Sequence, residues 1–147
     1  MSEVEDLADR LHSVAIHLLR RVRRVDAATG ISPAELSALS VVVFGGPLTL
    51  GELASAEQVR PPTMTRIVKA LESDGFITRV PDETDRRVAW LRATPKGEQV
   101  MKEGRSARVA LLAQWLRPLS RQELRALSKS GQILERALEI PARPRKV

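Results

Sequence analysis

Apolar positions recur at steps of three and four through most of the chain, and they divide it into helices separated by clear stop signals. Leu7, Leu11, Val14, Leu18, Val22 and Val25 form one stripe, predicting a helix over 6–27 that Gly30 ends. Ser32-Pro33-Ala34-Glu35 supplies an N-cap serine, a first-turn proline and a capping-box glutamate, so a second helix is expected over 33–44, stopped by Gly45-Gly46-Pro47. The β-branched run Val41-Val42-Val43 argues for a strand there, but the start and stop signals outweigh it. Thr49-Leu50-Gly51-Glu52 is another capping box and opens a short helix carrying Leu50, Leu53 and Ala54. The pattern breaks at Glu57-Gln58-Val59. Arg60-Pro61-Pro62 then starts a helix with Ile67, Val68 and Leu71, ended by Asp74-Gly75.

Beyond Gly75 the period changes. Residues 76–80 and 88–92 have strand composition, and the polar, turn-prone 81–87 between them makes the pair a β-hairpin. Thr94-Pro95 caps a long helix over 95–116 with Val100, Val109, Leu112 and Leu116 expected inward, and Pro118 breaks it. Ser120-Arg121-Gln122-Glu123 caps a last helix holding Leu124, Leu127, Leu134 and Leu138, up to Pro141. The predicted order is α-α-α-α-β-β-α-α, a mainly α fold with a small hairpin. Two short helices across a tight turn followed by a hairpin is the order of a winged helix-turn-helix. The expected organisation is a DNA-binding domain over 32–94, dimerisation helices over 1–31 and 95–140, and a disordered tail over 141–147.

Composition supports the helical reading. Hydrophobic residues make up 43% of the 147, while aromatics are only 3% with no Tyr, so the core must be Leu, Val, Ile and Ala. A net charge of +6 favours a polyanionic partner. The absence of cysteine excludes disulfides, thiolate metal sites and thiol redox sensing. His12 and His17 lie about 140° apart on an ideal helix and do not share a face, so neither a metal nor a cofactor is expected. No nucleophile–base pairing or phosphate-cradling glycine loop points to an enzyme. No apolar run reaches the roughly 20 residues of a membrane span, and the opening Ser2-Glu3-Val4-Glu5-Asp6 is acidic where a signal peptide is basic. The expected location is the cytoplasm, with no membrane partner.

A helix fits the major groove, its N-terminal side chains reach base edges, and its free N–H groups face phosphate. The candidate recognition helix places Arg60, Pro62, Thr63, Thr65, Arg66 and Lys69 there. Arg86 and Arg87 stand beside Asp85 at the hairpin tip, where an arginine can enter a narrow minor groove. Arg20, Arg21, Arg23 and Arg24 read instead as a solvated helix end that suits the helix dipole.

The segments Arg60-Pro-Pro-Thr-Met-Thr-Arg66-Ile-Val, Leu71-Glu72-Ser-Asp-Gly75-Phe-Ile, Asp82-Glu-Thr-Asp85-Arg86-Arg87 and Leu91-Arg-Ala-Thr94-Pro-Lys-Gly97 resemble the MarR family of bacterial and archaeal regulators. The resemblance spans nearly the whole chain in length and element order. Its specific motifs lie between Pro61 and Gly97. It implies a triangular homodimer in which the first and last two helices pack together and two winged domains meet successive major grooves of a pseudo-palindromic operator. It further implies that Arg87 is the minor-groove arginine and that Asp85 orients it. Members of the family are usually repressors, and many release DNA when a small, often phenolic, anion binds between the dimerisation and winged domains. The resemblance assigns no effector residue here. Three departures stand out: the turn at Glu57-Gln58-Val59 lacks a glycine, no cysteine is present, and Arg60-Pro61-Pro62 is stiffer than the usual serine-containing start. The reading is a sequence-specific double-stranded-DNA-binding transcriptional regulator. The alternatives are a sequence-tolerant, nucleoid-type DNA binder and a winged domain used only for protein contact.

Overall fold

Ser2, Ser32, Thr49 and Ser120 each accept the backbone N–H three residues on, and Glu5, Glu35, Glu52 and Glu123 return the bond to the cap residue's N–H. These reciprocal pairs satisfy donors that a helix start otherwise leaves open. In the structure, a computed structural model that describes residues 2–140, they begin α1 (Glu3–Arg23), α2 (Pro33–Gly45), α3 (Leu50–Ala56) and α6 (Arg121–Ala137). The remaining elements are a 3-10 turn (Asp26–Thr29), β1 (Leu48–Thr49), α4 (Pro61–Ser73), β2 (Ile77–Pro81), β3 (Ala89–Ala93) and α5 (Pro95–Leu116). The expected disordered tail, 141–147, lies outside the described residues.

The hairpin acquires a third strand that the hydrophobic pattern did not reveal. β1 pairs antiparallel with β3, Leu48 opposite Leu91 and Thr49 opposite Trp90, and β3 pairs with β2 on its other side. Both hairpin strands also begin one residue later than expected. The Phe76 N–H donates to Leu71 O and its carbonyl accepts from the Thr94 N–H, so Phe76 closes the end of α4 rather than starting β2. Likewise the Val88 N–H turns back to Asp85 O. Pro81 ends β2, an edge strand, where its missing N–H breaks no ladder.

Two compact units divide the chain inside α5, Met1–Val109 and Ala110–Val147. The first holds the core: Leu39 from α2, Leu53 from α3, Met64, Val68 and Leu71 from α4, and Leu91 from β3, all at 0–1% exposure. The Val41–Val43 run stays helical because α2 is apolar around most of its girth, with Val42 buried and its two neighbours packed on the core.

The first helix starts earlier than expected, at the Ser2 capping box, and ends at Arg23. Val25 lies beyond it, and Gly30 closes the 3-10 turn at φ +70°. Its stripe is open: Leu7 and Val14 are 55% and 56% exposed, and only Val22 is buried. The expectation that Val109 and Leu116 point inward is also corrected, since both are exposed. Gly97 and Met101, one turn apart, are instead the buried residues of α5. In the second unit α6 has no buried residue, and Leu124, Leu127 and Leu138 face solvent.

Candidate nucleic-acid interface

The turn between α3 and α4 lacks glycine, and Gln58 takes the left-handed conformation itself, at φ +54°. That conformation costs a side-chain-bearing residue about 1–2 kcal/mol. The Val59 N–H then returns to Ala54 O at 3.0 Å, which fixes where α4 begins.

Met64, Val68 and Leu71 bury one face of α4. The opposite ridge presents Pro62, Arg66 and Lys69 to solvent at the same i, i+4, i+7 spacing, and Arg60 is exposed at the N-cap. Thr63 and Thr65 are half-buried between the two faces. The Thr65 hydroxyl donates to Pro61 O at 2.9 Å, so it is left as an acceptor toward any ligand. The helix start departs from the phosphate-cradling reading. Pro61 and Pro62 carry no N–H and the Met64 N–H is bonded to Arg60 O, so Thr63 supplies the one amide that faces outward in the first turn.

The wing tip is ordered by two aspartates. Oδ1 of Asp82 accepts from the Thr84 N–H (2.9 Å), the Thr84 hydroxyl (2.7 Å) and the Asp85 N–H (2.9 Å). Oδ2 of Asp82 accepts from the Trp90 indole N–H at 2.8 Å. The indole bond, followed by the Thr84 and Asp85 donors, holds this carboxyl well below the usual carboxylate range. Asp85 accepts from the backbone N–H of Arg87 at 3.0 Å. Asp85 therefore orients the main chain at Arg87 and leaves the guanidinium outward. Arg86 and Arg87 are exposed, and among the described residues neither forms an ion pair.

Wing and α4 form one body through contacts that sequence reading missed. The Arg79 guanidinium on β2 donates to Glu72 on α4 at 2.9 Å. Lys96 donates to Asp74 O, completing the end of α4, and lies 4.9 Å from the Phe76 ring centroid. The Thr94 hydroxyl donates to Gly75 O at 2.6 Å and accepts the Gly97 N–H, while Gly75 turns the chain at φ +76°. The Thr94-Pro-Lys-Gly97 motif is thus the joint between α4, the sheet and α5. The only sequence signal for it was the motif itself.

A separate cavity of about 400 Å³ opens in the first unit among the end of α1, the 3-10 turn, α2 and α5. Ile31, Leu36 and Met101 give it apolar walls, Arg23 contributes charge, and Arg108 donates to Asp26 at 2.6 Å on its lining. Arg23 borders this cavity while remaining exposed in the last turn of α1, as a solvated helix end should. Among the described residues no single helix is long and apolar enough to cross a membrane.

Comparison with known proteins agrees with this architecture. The MarR family model matches residues 31–89. The HTH-type transcriptional regulator Mb0904 of Mycobacterium bovis is 34% identical over 128 residues, covering 87% of this chain and 90% of that protein. The HTH-type transcriptional repressor MdtR of Bacillus subtilis is 32% identical over 95 residues, 65% of this chain and 61% of its own. The structure of a MarR family protein from Bacillus stearothermophilus superposes with a TM-score of 0.77 at 29% identity, covering 95% of this chain and 99% of the other. With its helix-turn-helix, its three-stranded wing and these relatives, the chain belongs to the MarR family of transcriptional regulators.

Proposed function

We propose that this protein binds double-stranded DNA sequence-specifically, as a homodimer on a pseudo-palindromic operator, and represses transcription until a small organic anion releases it. The observation that carries the reading is the exposed Pro62–Arg66–Lys69 ridge of α4, tied through Glu72–Arg79 to a wing whose tip arginines, Arg86 and Arg87, are exposed and form no ion pair among the described residues. Arg66 and Thr63 read major-groove edges, Thr65 accepts from a base donor, Arg60 and Lys69 hold phosphates, and Arg87 enters the minor groove with Arg86 beside it.

Dimerisation is supported by the apolar faces left open in both units, Leu7, Val14 and Leu18 on α1 and Leu124 and Leu127 on α6, with Leu138 just beyond its end. Repression is supported by the likeness to MdtR. The Arg23-bearing apolar cavity has the size and lining of a small-molecule site, and it supports an anionic effector. The chain acts in the cytoplasm on this reading.

The test is a gel-shift titration against DNA upstream of the protein's own gene, with random duplex as competitor. A discrete dimer complex that resists competitor is expected. Arg66→Ala should lower operator affinity about tenfold to a hundredfold and leave random-duplex affinity unchanged. An operator-to-random ratio below about tenfold would instead identify a sequence-tolerant, nucleoid-type binder, whose affinity is electrostatic for every sequence.

A further inference from the structure

Trp90 sits on β3, the central strand, paired with Thr49 of β1 on one side and Val80 of β2 on the other. Its half-buried indole is thereby fixed to the sheet. Its single N–H points out of the sheet to Asp82 at the base of the wing loop. From Asp82 the bonds run onward through the Thr84 and Asp85 amides to Asp85, and from Asp85 to the Arg87 backbone. Every link from the rigid strand to the exposed arginine is a hydrogen bond of 3.0 Å or shorter.

We infer that Asp82, anchored by the Trp90 indole, is a positioning residue for DNA recognition: it holds the wing loop in the one conformation that aims Arg87 at its groove. The inference rests on the proposed role of Arg87 as a minor-groove contact. Without this relay the loop retains only the main-chain closures from the Asp82 N–H to Val88 O and from the Val88 N–H to Asp85 O. The arginine would then be ordered at the moment of binding, a cost that lowers affinity. The carboxylate suits the task because its two oxygens accept four donors at once, three from the loop and one from the sheet. A side-chain amide offers a single acceptor oxygen, and its NH₂ would face the indole N–H donor to donor. Asp82 touches no base or phosphate on this account and acts only through Arg87.

A double-mutant cycle tests it. Operator and random-duplex affinities of the full chain are measured at one salt concentration for wild type, Asp82→Asn, Arg87→Ala and the double variant. Asp82→Asn is expected to lose about tenfold on the operator, the scale of ordering one long side chain, with little change on random duplex. The double variant should bind no worse than Arg87→Ala alone, because the relay has nothing left to aim. Trp90→Phe, which keeps a ring in the sheet and removes the donor, should reproduce Asp82→Asn and guards against a variant that fails to fold. Multiplicative losses in the double variant would overturn the inference, as would an equal loss on both DNAs. Unchanged operator affinity in Asp82→Asn, with Arg87→Ala still impaired, would overturn it while leaving the wing contact standing. An Arg87→Ala variant of wild-type affinity would remove the wing contact itself, and the inference with it.

Discussion

Gly97 is the position where a single methyl group should do the most damage to this fold. A Cβ there would lie 2.2 Å from Phe76 O, 3.1 Å from its carbonyl carbon and 3.3 Å from Leu39 Cδ1. The closest of these is about 1 Å inside an ordinary carbon–oxygen contact. The obstructing carbonyl is not free to turn away, since it accepts the Thr94 N–H at 3.0 Å while the Phe76 N–H holds Leu71 O at 2.9 Å. Overpacking of this kind costs about 1–3 kcal/mol, and weakening the Thr94 bond adds about 1 kcal/mol. Alanine's helix preference over glycine returns about 1 kcal/mol. The net expectation for Gly97→Ala is a loss of about 2 kcal/mol, or ~4–8 °C in Tm for a chain of this size.

Urea unfolding followed by far-UV circular dichroism at one protomer concentration measures it, because association changes apparent stability. Gly131→Ala, where nothing lies within 4 Å of the added carbon on α6, is the matched control and should gain up to about 1 kcal/mol. A Gly97→Ala midpoint at or above wild type would refute the reasoning, because the steric term would then be absent.

Three further outcomes follow from the same geometry. Gln58→Gly relieves the left-handed strain at φ +54° and should stabilise the protein by about 0.5–1 kcal/mol in the same urea assay. Glu72→Gln should cost less than about 1 kcal/mol, since the Glu72–Arg79 side chains are 29% and 37% exposed; melts at low and high salt should show the difference shrinking as salt rises. For Asp82 the folded-state pKa is depressed, chiefly by the Trp90 indole bond, so its contribution is complete above the ordinary aspartate value and lost only as pH falls through the folded value. The Trp90 indole N–H resonance should therefore stay unchanged from neutral pH down to about pH 4, and a midpoint near that ordinary value would contradict the hydrogen-bond geometry.

Helix starts were legible in the sequence because capping is settled by residues three apart. Ser32 with Glu35 and Ser120 with Glu123 make the same bonds whatever the rest of the chain does. Ser2 with Glu5 carries the same signal and starts the first helix at Glu3, three residues before the Asp6 start that the apolar stripe alone predicts. The core face of α4 was legible for a similar reason, since a 3.6-residue period places Val68 and Leu71 on one side and therefore Arg66 and Lys69 on the other. Family resemblance then added roles for the wing residues that periodicity alone does not supply.

Only the tertiary structure decided the rest. β1 is two residues long, too short for any period, and exists because Leu91 and Trp90 lie alongside it. Val109 and Leu116 follow an inward pattern yet are exposed, because a pattern says which face is apolar but not what meets it. Asp26 and Arg108 are 82 positions apart, and Glu72 and Arg79 stand on different elements, so no local spacing announces either pair. The same holds for the bond from Trp90 to Asp82, which depends on the turn that brings β3 back beside β2. Local free energies depend on neighbours within about one helical turn. Distant ones depend on which surfaces the folded chain brings together, and at Asp82 and Gly97 those surfaces meet within the first compact unit.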